Sequence, residues 1–458
     1  MSRVCLVGTG VPGFIPARVH NGPGLRTEHF ARALVADGHE LTVIYVDRVG
    51  DAGPDSAAFV PSVAAAEADF ENGALDAVLT RFQPEALVGA GIQGAAFAAR
   101  LKTGLPLWAD VFGDPMAEAQ TKAVLENADT PLPRFWSMLG PVLAEADRFS
   151  AVSRRQADAL IGQLGLAGRL SRRTADEEMV SVVPCAAEAE GGHDRAALRR
   201  GLRAGLGIAD NDFVVLWSGS FNTWCDIETL FEGLDRAMDM EPRLRFVATG
   251  GEVIGHDETS YGRFRQRVAA SPNRARYHLA GWVGSADLPS YYAAADLGVV
   301  AELDLYERRL GSENRVAQWL AHGLAAATTA KSEFGRCLVA RELAYPWRAG
   351  EPGSLTACLV AAASDTEAVE STGDACRSWA AGNLDYRTTA VPIAGWCRRP
   401  VRAGDSSGGA ALSLGLFSEP ASVVHLLESY LAGLSLGQLS WRSLRWFWRR
   451  LRGRSAAN

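Results

Sequence analysis

The residues best placed to do chemistry form one short run, Tyr306-Glu307-Arg308-Arg309-Leu310-Gly311-Ser312-Glu313-Asn314-Arg315, directly ahead of helical periodicity over 315–321. A glycine and a serine at a helix start leave backbone N–H groups free to point at phosphate oxygens. The helix itself attracts an anion there by only about 0.3–1 kcal/mol. Arg315 falls in the first turn, and a charge-assisted hydrogen bond from it adds about 1.5–3 kcal/mol, so the side chain dominates. Gly311, Ser312 and Arg315 therefore read as a grip for a phosphate-bearing ligand.

Other motifs weigh less. Gly8-Thr9-Gly10-Val11-Pro12-Gly13 fits the dinucleotide pattern G-x-G-x-x-G after a strand, with Asp47 closing the next strand. That chemistry needs a helix to begin at once, and Pro12, Pro16 and Gly22-Pro23-Gly24 delay it to about Leu25. The glycines are read instead as permitting a long loop. Glu302-Leu303-Asp304 loosely resembles an acidic D-x-D metal motif, but the mixed tripeptide is common and no metal is assigned. The histidines lack ligand spacing, and Ser153 reads as a helix cap rather than a nucleophile. Seven scattered cysteines form no C-x-x-C pair, which suits a reduced, cytoplasmic setting.

These residues need a scaffold. The chain has 458 residues, 48% of them hydrophobic, and a formal net charge of −7, which gives no reason to expect a nucleic-acid partner. The start lacks the pattern of a signal peptide, and no apolar stretch is long enough to span a membrane. Short buried strands alternate with amphipathic helices in two blocks. Strands are predicted at 3–7, 40–46, 86–89, 105–110, 148–152 and 180–184, then at 213–218, 244–249, 276–280, 297–300 and 325–329. A Gly/Glu/Ala-rich linker covers about 186–194. Alternation of this kind predicts an α/β fold with two parallel sheets, whose ligands bind outside the carboxyl ends of the strands, in the cleft between them.

In order and spacing, several segments resemble the family 4 glycosyltransferases of the GT-B fold. Asn21-Gly22-Pro23-Gly24-Leu25-Arg26 with Gly38-His39-Glu40-Leu41-Thr42-Val43 is similar to that family's glycine-rich loop and second strand. Further cues are Ala151-Val152-Ser153, Val182-Val183-Pro184-Cys185, Leu216-Trp217-Ser218-Gly219-Ser220, Gly281-Trp282-Val283 and Asn314-Arg315-Val316-Ala317-Gln318-Trp319-Leu320-Ala321-His322-Gly323. The resemblance spans about 3–395. It implies two Rossmann-like domains facing across a cleft: 1–188 taking the acceptor, 195–395 binding a nucleotide-sugar donor, and 396–458 as a C-terminal loop and helical extension that packs back on the first domain or on a membrane.

The resemblance also implies site residues. For the donor these are Gly22, Gly24 and Arg26 from the first block, with Gly219, Ser220, Asn222, Trp282 and Val283 from the second. Gly311, Ser312, Glu313, Asn314, Arg315 and Gln318 complete the set. Two departures stand out. The family's E-x7-E pair is not intact: Gln318 replaces the ribose-binding Glu, and Glu307, with Glu313 competing, takes the donor-sugar role. The family's phosphate-binding Arg and Lys are missing near Gly219-Ser220-Phe221-Asn222, so Arg315, Arg308 or Arg309, and Arg26 must supply the positive charge. Where relatives place a His near the sugar, this chain has Asp110 and Asp114, read as sugar contacts beside Glu307. Asp114 before Pro115 also reads as a turn residue.

The implied activity is transfer of a sugar from a UDP- or GDP-sugar to a glycan, lipid carrier or small metabolite. Anomeric configuration is retained, and no metal or cofactor takes part. An epimerase of the same fold and a non-catalytic sugar-nucleotide-binding protein are the alternatives. An apolar helix is predicted at 423–434. In the Arg/Trp-rich tail, 440–454, Leu444, Phe447, Trp448 and Leu451 share a face, which suits either peripheral contact with an anionic membrane or packing on the first domain.

Overall fold

The computed structural model describes residues 1–17, 20–48, 50, 59–188, 194–253 and 257–405. The predicted helix at 423–434 and the tail at 440–454 lie outside the described residues, as does part of the 186–194 linker. Within them the two predicted sheets are present, and every strand pair in both is parallel.

The first sheet contains β1 (Arg3–Thr9), β2 (Glu40–Val46), β3 (Ser62–Ala65), β4 (Ala86–Gly89), β5 (Leu107–Val111), β6 (Arg148–Ala151) and β7 (Val180–Val182), in the order β3-β2-β1-β4-β5-β6-β7. The second contains β8 (Phe213–Ser218), β9 (Leu244–Thr249), β10 (Tyr277–Gly281), β11 (Leu297–Val299), β12 (Ala326–Thr328) and β13 (Ala344–Pro346), in the order β10-β9-β8-β11-β12-β13. The central strands are apolar on both faces, as helices on both sides of a parallel sheet require. Val4, Leu6, Phe213, Val215, Leu297 and Val299 are all fully buried. Each order reverses at one point, between β1 and β4 and between β8 and β11. Open α/β sheets bind ligands at such a crevice.

Two local expectations change. The first helix is Gly22–Ala36, starting three residues earlier than Leu25. Pro23 occupies its first turn, where a missing N–H costs nothing, and Asn21 caps it by accepting from Gly24 N at 2.9 Å. The G-x-G-x-x-G glycines are used for close packing against this helix. A Cβ on Gly8 would stand 2.1 Å from Thr27 Oγ1, one on Gly10 2.2 Å from Asn21 Oδ1, and one on Gly13 1.9 Å from Glu28 Oε2.

The chain also returns to the first lobe. After the helix Thr366–Asn383, the short helices Tyr386–Thr389 and Val391–Cys397 put Ala390, Ile393 and Cys397 into the core formed by Val4, Leu6 and Phe30. Trp396 packs on Trp108 at 5.6 Å, and Thr389 Oγ1 meets His29 Nε2 at 2.8 Å. This return begins before residue 396, inside the segment assigned to the donor domain.

Candidate functional site

At the carboxyl end of β8 the chain turns at Gly219, whose φ is +93°. Gly219 N donates to Thr249 O at 2.7 Å, and a Cβ on Gly250 would sit 2.2 Å from Gly219 O, so the loops after β8 and β9 abut. Beneath them Trp217 stacks on Phe221 at 4.9 Å, and Trp319 Nε1 donates to Ser218 Oγ at 2.8 Å. Trp319 belongs to the helix Asn314–Ala321, so this bond ties that helix to β8.

Arg315, in the first turn of that helix, lies over the Trp217 ring at 4.5 Å and donates Nη2 to Ser220 O at 3.0 Å. Its Nη1 has no partner. No side chain caps this helix: Glu313 occupies the cap position, but its Oε2 accepts from Ser332 Oγ at 2.7 Å. Gly311 N donates to Glu307 O at 2.8 Å to close the preceding turn, so of the two residues expected to offer N–H groups to phosphate it has none to spare.

Buried polar side-chain atoms without partners are costly and uncommon. Among the described residues there are eleven, and seven lie at this end of the second sheet: Asn222 Oδ1, Thr223 Oγ1, Thr249 Oγ1, Glu302 Oε2, Glu313 Oε1, Arg315 Nη1 and Thr329 Oγ1. Such a concentration at the β8/β11 reversal fits a preformed polar ligand site. Gln318 is half-buried one turn further along. Ser312 hydrogen-bonds Cys185 from the first lobe. Trp282 sits at the β9–β10 side, donating to Glu252 O at 2.9 Å, with Val283 half-buried beside it.

Glu302, passed over in the sequence as part of a D-x-D-like tripeptide, belongs to this cluster. It pairs in an antiparallel bridge with Cys225 of the loop after β8. Its Oε1 accepts from Arg308 Nη1 at 2.9 Å, and the same guanidinium binds both oxygens of Glu307. Arg308 also lies over Trp224 at 4.7 Å. Glu307 thus faces Arg308. Arg309 is exposed and pairs with Asp304 at 3.0 Å.

On the first lobe the geometry gives three expected contacts other work. Asp110 and Arg26 form a fully buried ion pair with bonds of 2.8 and 3.0 Å. Asp110 additionally accepts from Ser150 Oγ at 2.6 Å and Gly91 N at 3.0 Å, which fills its four acceptor sites. The remaining Arg26 donors go to Val183 O, Pro184 O and His29 Nδ1 at 2.7, 2.8 and 3.2 Å, so all five are used and none is left for a phosphate. Burial, then Arg26, holds His29 well below its ordinary pKa, hence neutral. Asp114 caps the helix Pro115–Glu126, accepting from Ala117 N at 2.8 Å and Gln163 Nε2 at 2.9 Å. Gly24 packs against Val11, where a Cβ would meet the carbonyl at 2.2 Å, whereas Gly22 is open, with Phe112 at 4.0 Å.

The lobes meet beside the cluster. Ser153 Oγ donates to Leu310 O at 2.7 Å, and the Glu333 carboxylate accepts from Arg154 N and Arg155 N at 3.3 and 3.2 Å, capping a first-lobe helix from the second lobe. Glu333→Ala is expected to lower stability by about 1 kcal/mol in urea titration, and Glu333→Gln, which keeps an acceptor, by about half of that. An unchanged Glu333→Ala midpoint would remove this contact from the interlobe hold.

Residues 21–173 match the glycosyl transferase 4-like domain family. No curated protein matches the sequence. Among solved structures, HepE from Anabaena, in complex with UDP and glucose, aligns at 16% identity over 87% of this chain and all of its own, with a TM-score of 0.60. Sucrose-phosphate synthase from Thermosynechococcus elongatus aligns at 16% identity over 87% of this chain and 99% of its own, at 0.64. WaaG, a glycosyltransferase of lipopolysaccharide biosynthesis, aligns at 12% over 85% and 99%, at 0.59. The fold of this chain is therefore GT-B: two Rossmann-like sheets in the arrangement these proteins share.

Proposed function

We propose that the protein is a retaining, metal-independent glycosyltransferase of the cytoplasm, moving a sugar from a UDP- or GDP-sugar to a glycan, lipid-linked or small-molecule acceptor. The observation that carries the reading is the set of seven orphaned polar atoms around an uncapped helix start and Arg315. As the bond from sugar to diphosphate breaks, charge builds on the leaving oxygen. Donors fixed in advance at that place lower the barrier without reorganising. Arg315 and the N–H groups of the first turn take this role, Gln318 serves a ribose hydroxyl, and Trp282 with Val283 borders the base. The UDP held by HepE, and the match of residues 21–173 of this chain to the glycosyl transferase 4-like domain, support the donor class.

For the acceptor, a cavity of about 790 Å³ lies between the lobes, bounded by Met116, Gln120, Leu132 and Gln163 of the first and by Tyr306 and Leu310 of the second. Its lining mixes apolar and amide groups with the carboxylates of Asp114 and Asp129 and has no Lys or Arg, which suits a hydroxyl-bearing acceptor that carries no negative charge. Among the described residues no helix is long and apolar enough to cross a membrane.

The test is a thermal-shift panel of UDP, GDP, ADP and NAD in EDTA and in Mg²⁺. A ligand at 100 times its Kd stabilises by about 2.7 kcal/mol, so UDP or GDP should raise the midpoint by several degrees, equally in EDTA. Stabilisation by NAD alone would overturn the reading. A requirement for Mg²⁺ would overturn metal independence. Mass spectrometry on acceptor mixtures then detects transfer as a mass gain, and NMR of the donor detects its isomer, which has the same mass and is the epimerase outcome.

A further inference from the structure

The two loops that hold the start of the helix Asn314–Ala321 also touch the first lobe. In the first loop Leu310, Gly311 and Ser312 run up to that helix. Leu310 O accepts from Ser153 Oγ at 2.7 Å, and Ser312 hydrogen-bonds Cys185. In the second loop Ser332 Oγ donates to Glu313 Oε2 at 2.7 Å and accepts from Gly335 N at 2.8 Å. The next residue, Glu333, reaches across the seam. Its two oxygens accept separately from Arg154 N and Arg155 N, the first amides of the helix Arg154–Leu166. In each loop, a residue at the helix start therefore stands within one residue of a contact to the first lobe, and a shift of one moves the other.

The seam also sets like charges against each other. Arg154 and Arg155 stand at a helix N-terminus, whose own partial charge is positive. Facing them from the second lobe is Arg336, on the helix Glu333–Ala340. Burial, and then the charge of Arg155, lower the Arg336 pKa, and Glu333 opposes both. Arg309 and Lys331, also of the second lobe, share Asp304. Glu333 thus caps the first-lobe helix and offsets the repulsion between Arg155 and Arg336.

We propose that Glu333 and Ser153 are positioning residues that hold the first lobe over the start of the helix Asn314–Ala321, so that a nucleotide gripped there and the closing of the lobes favour each other. Glu333 does this by capping the helix Arg154–Leu166 and by neutralising Arg155 against Arg336. The nucleotide part rests on the glycosyltransferase reading, whereas the hold rests on the interlobe contacts alone. Coupling between two equilibria is reciprocal. Loosening the hold must therefore weaken nucleotide binding, although Arg315 and its bond to Ser220 O are untouched.

The experiment compares wild type, E333A, E333A with R336Q, and S153D. S153D keeps an acceptor for Gln156 N, so the helix Arg154–Leu166 stays capped, but it cannot donate to Leu310 O. Small-angle scattering of the ligand-free proteins should give E333A and S153D a larger radius of gyration than wild type. Hydrogen exchange over residues 310–313 should rise about 10-fold in both. Calorimetry in EDTA should show UDP or GDP bound about 5-fold more weakly by both at about 50 mM NaCl. At about 500 mM NaCl the E333A deficit should shrink to about 2-fold or less, because salt screens exposed charges. Taking each ratio to wild type at one salt cancels the ordinary screening of a diphosphate. Adding R336Q should restore most of the E333A loss at low salt. Wild-type scattering and affinity in E333A and S153D would make these residues local caps and overturn the proposal. An E333A deficit that neither salt nor R336Q reduces overturns the neutralising role. A wild type that binds neither nucleotide overturns the glycosyltransferase reading, while scattering and exchange still decide whether Glu333 and Ser153 hold the lobes.

Discussion

Asp110→Ala is expected to destabilise the first lobe by about 3–5 kcal/mol, the cost of leaving a buried charge without its partner. Arg26 would remain enclosed between Phe30 and Phe112, its guanidinium 4.6 and 4.9 Å from their rings, with two of its N–H groups aimed at an empty space. Ser150 and Gly91 would lose their acceptor as well. Arg26→Met alone should cost a similar amount, because Asp110 then keeps a buried negative charge. The double change Arg26→Met with Asp110→Leu removes both charges and should recover most of the loss, since apolar replacements of buried pairs are often near neutral. Urea denaturation of the three variants measures this. If the double change costs as much as the two single changes together, the pair is not coupled. If Asp110→Ala keeps full stability and loses donor or acceptor binding, the carboxylate belongs to the ligand after all.

That Asp110 and Arg26 are each other's partners was not legible in the sequence, because 84 residues separate them and either alone resembles a site residue at the mouth of a cleft. The same holds for Asp114. Its capping bond to Ala117 is local and was half visible in the Asp-Pro step, but its bond to Gln163 depends on how two helices meet. The fold was far more legible. Central strands such as Arg3–Thr9 and Phe213–Ser218 are continuous apolar runs, and burial on both faces demands that composition. The strands left out, Ser62–Ala65 and Ala344–Pro346, are short edge strands, where half-exposed residues carry little pattern. Glu302 was passed over because the tripeptide was judged for metal binding. Only its bridge to Cys225 and its position beside Arg308 bring it into the polar cluster.

Arg315 should show the largest functional effect. Arg315→Ala removes the cation at the helix start, and a charge-assisted hydrogen bond of about 1.5–3 kcal/mol corresponds to a loss of roughly 10–150-fold in affinity for UDP or GDP. In kcat/KM the loss should be at least as large, because charge on the diphosphate grows as the sugar leaves. Arg315→Lys keeps the charge but lacks the flat fork that lies on Trp217 while donating to Ser220 O, so it should recover only part of the affinity. Arg309→Ala, six residues away and paired with Asp304 at the surface, should leave affinity unchanged and controls for general loss of positive charge. Calorimetry in EDTA reads all three. Equal affinity for wild type and Arg315→Ala would leave the uncapped helix start and the orphaned side chains without the cation that makes them a diphosphate site, because Arg308 is already bound by Glu302 and Glu307.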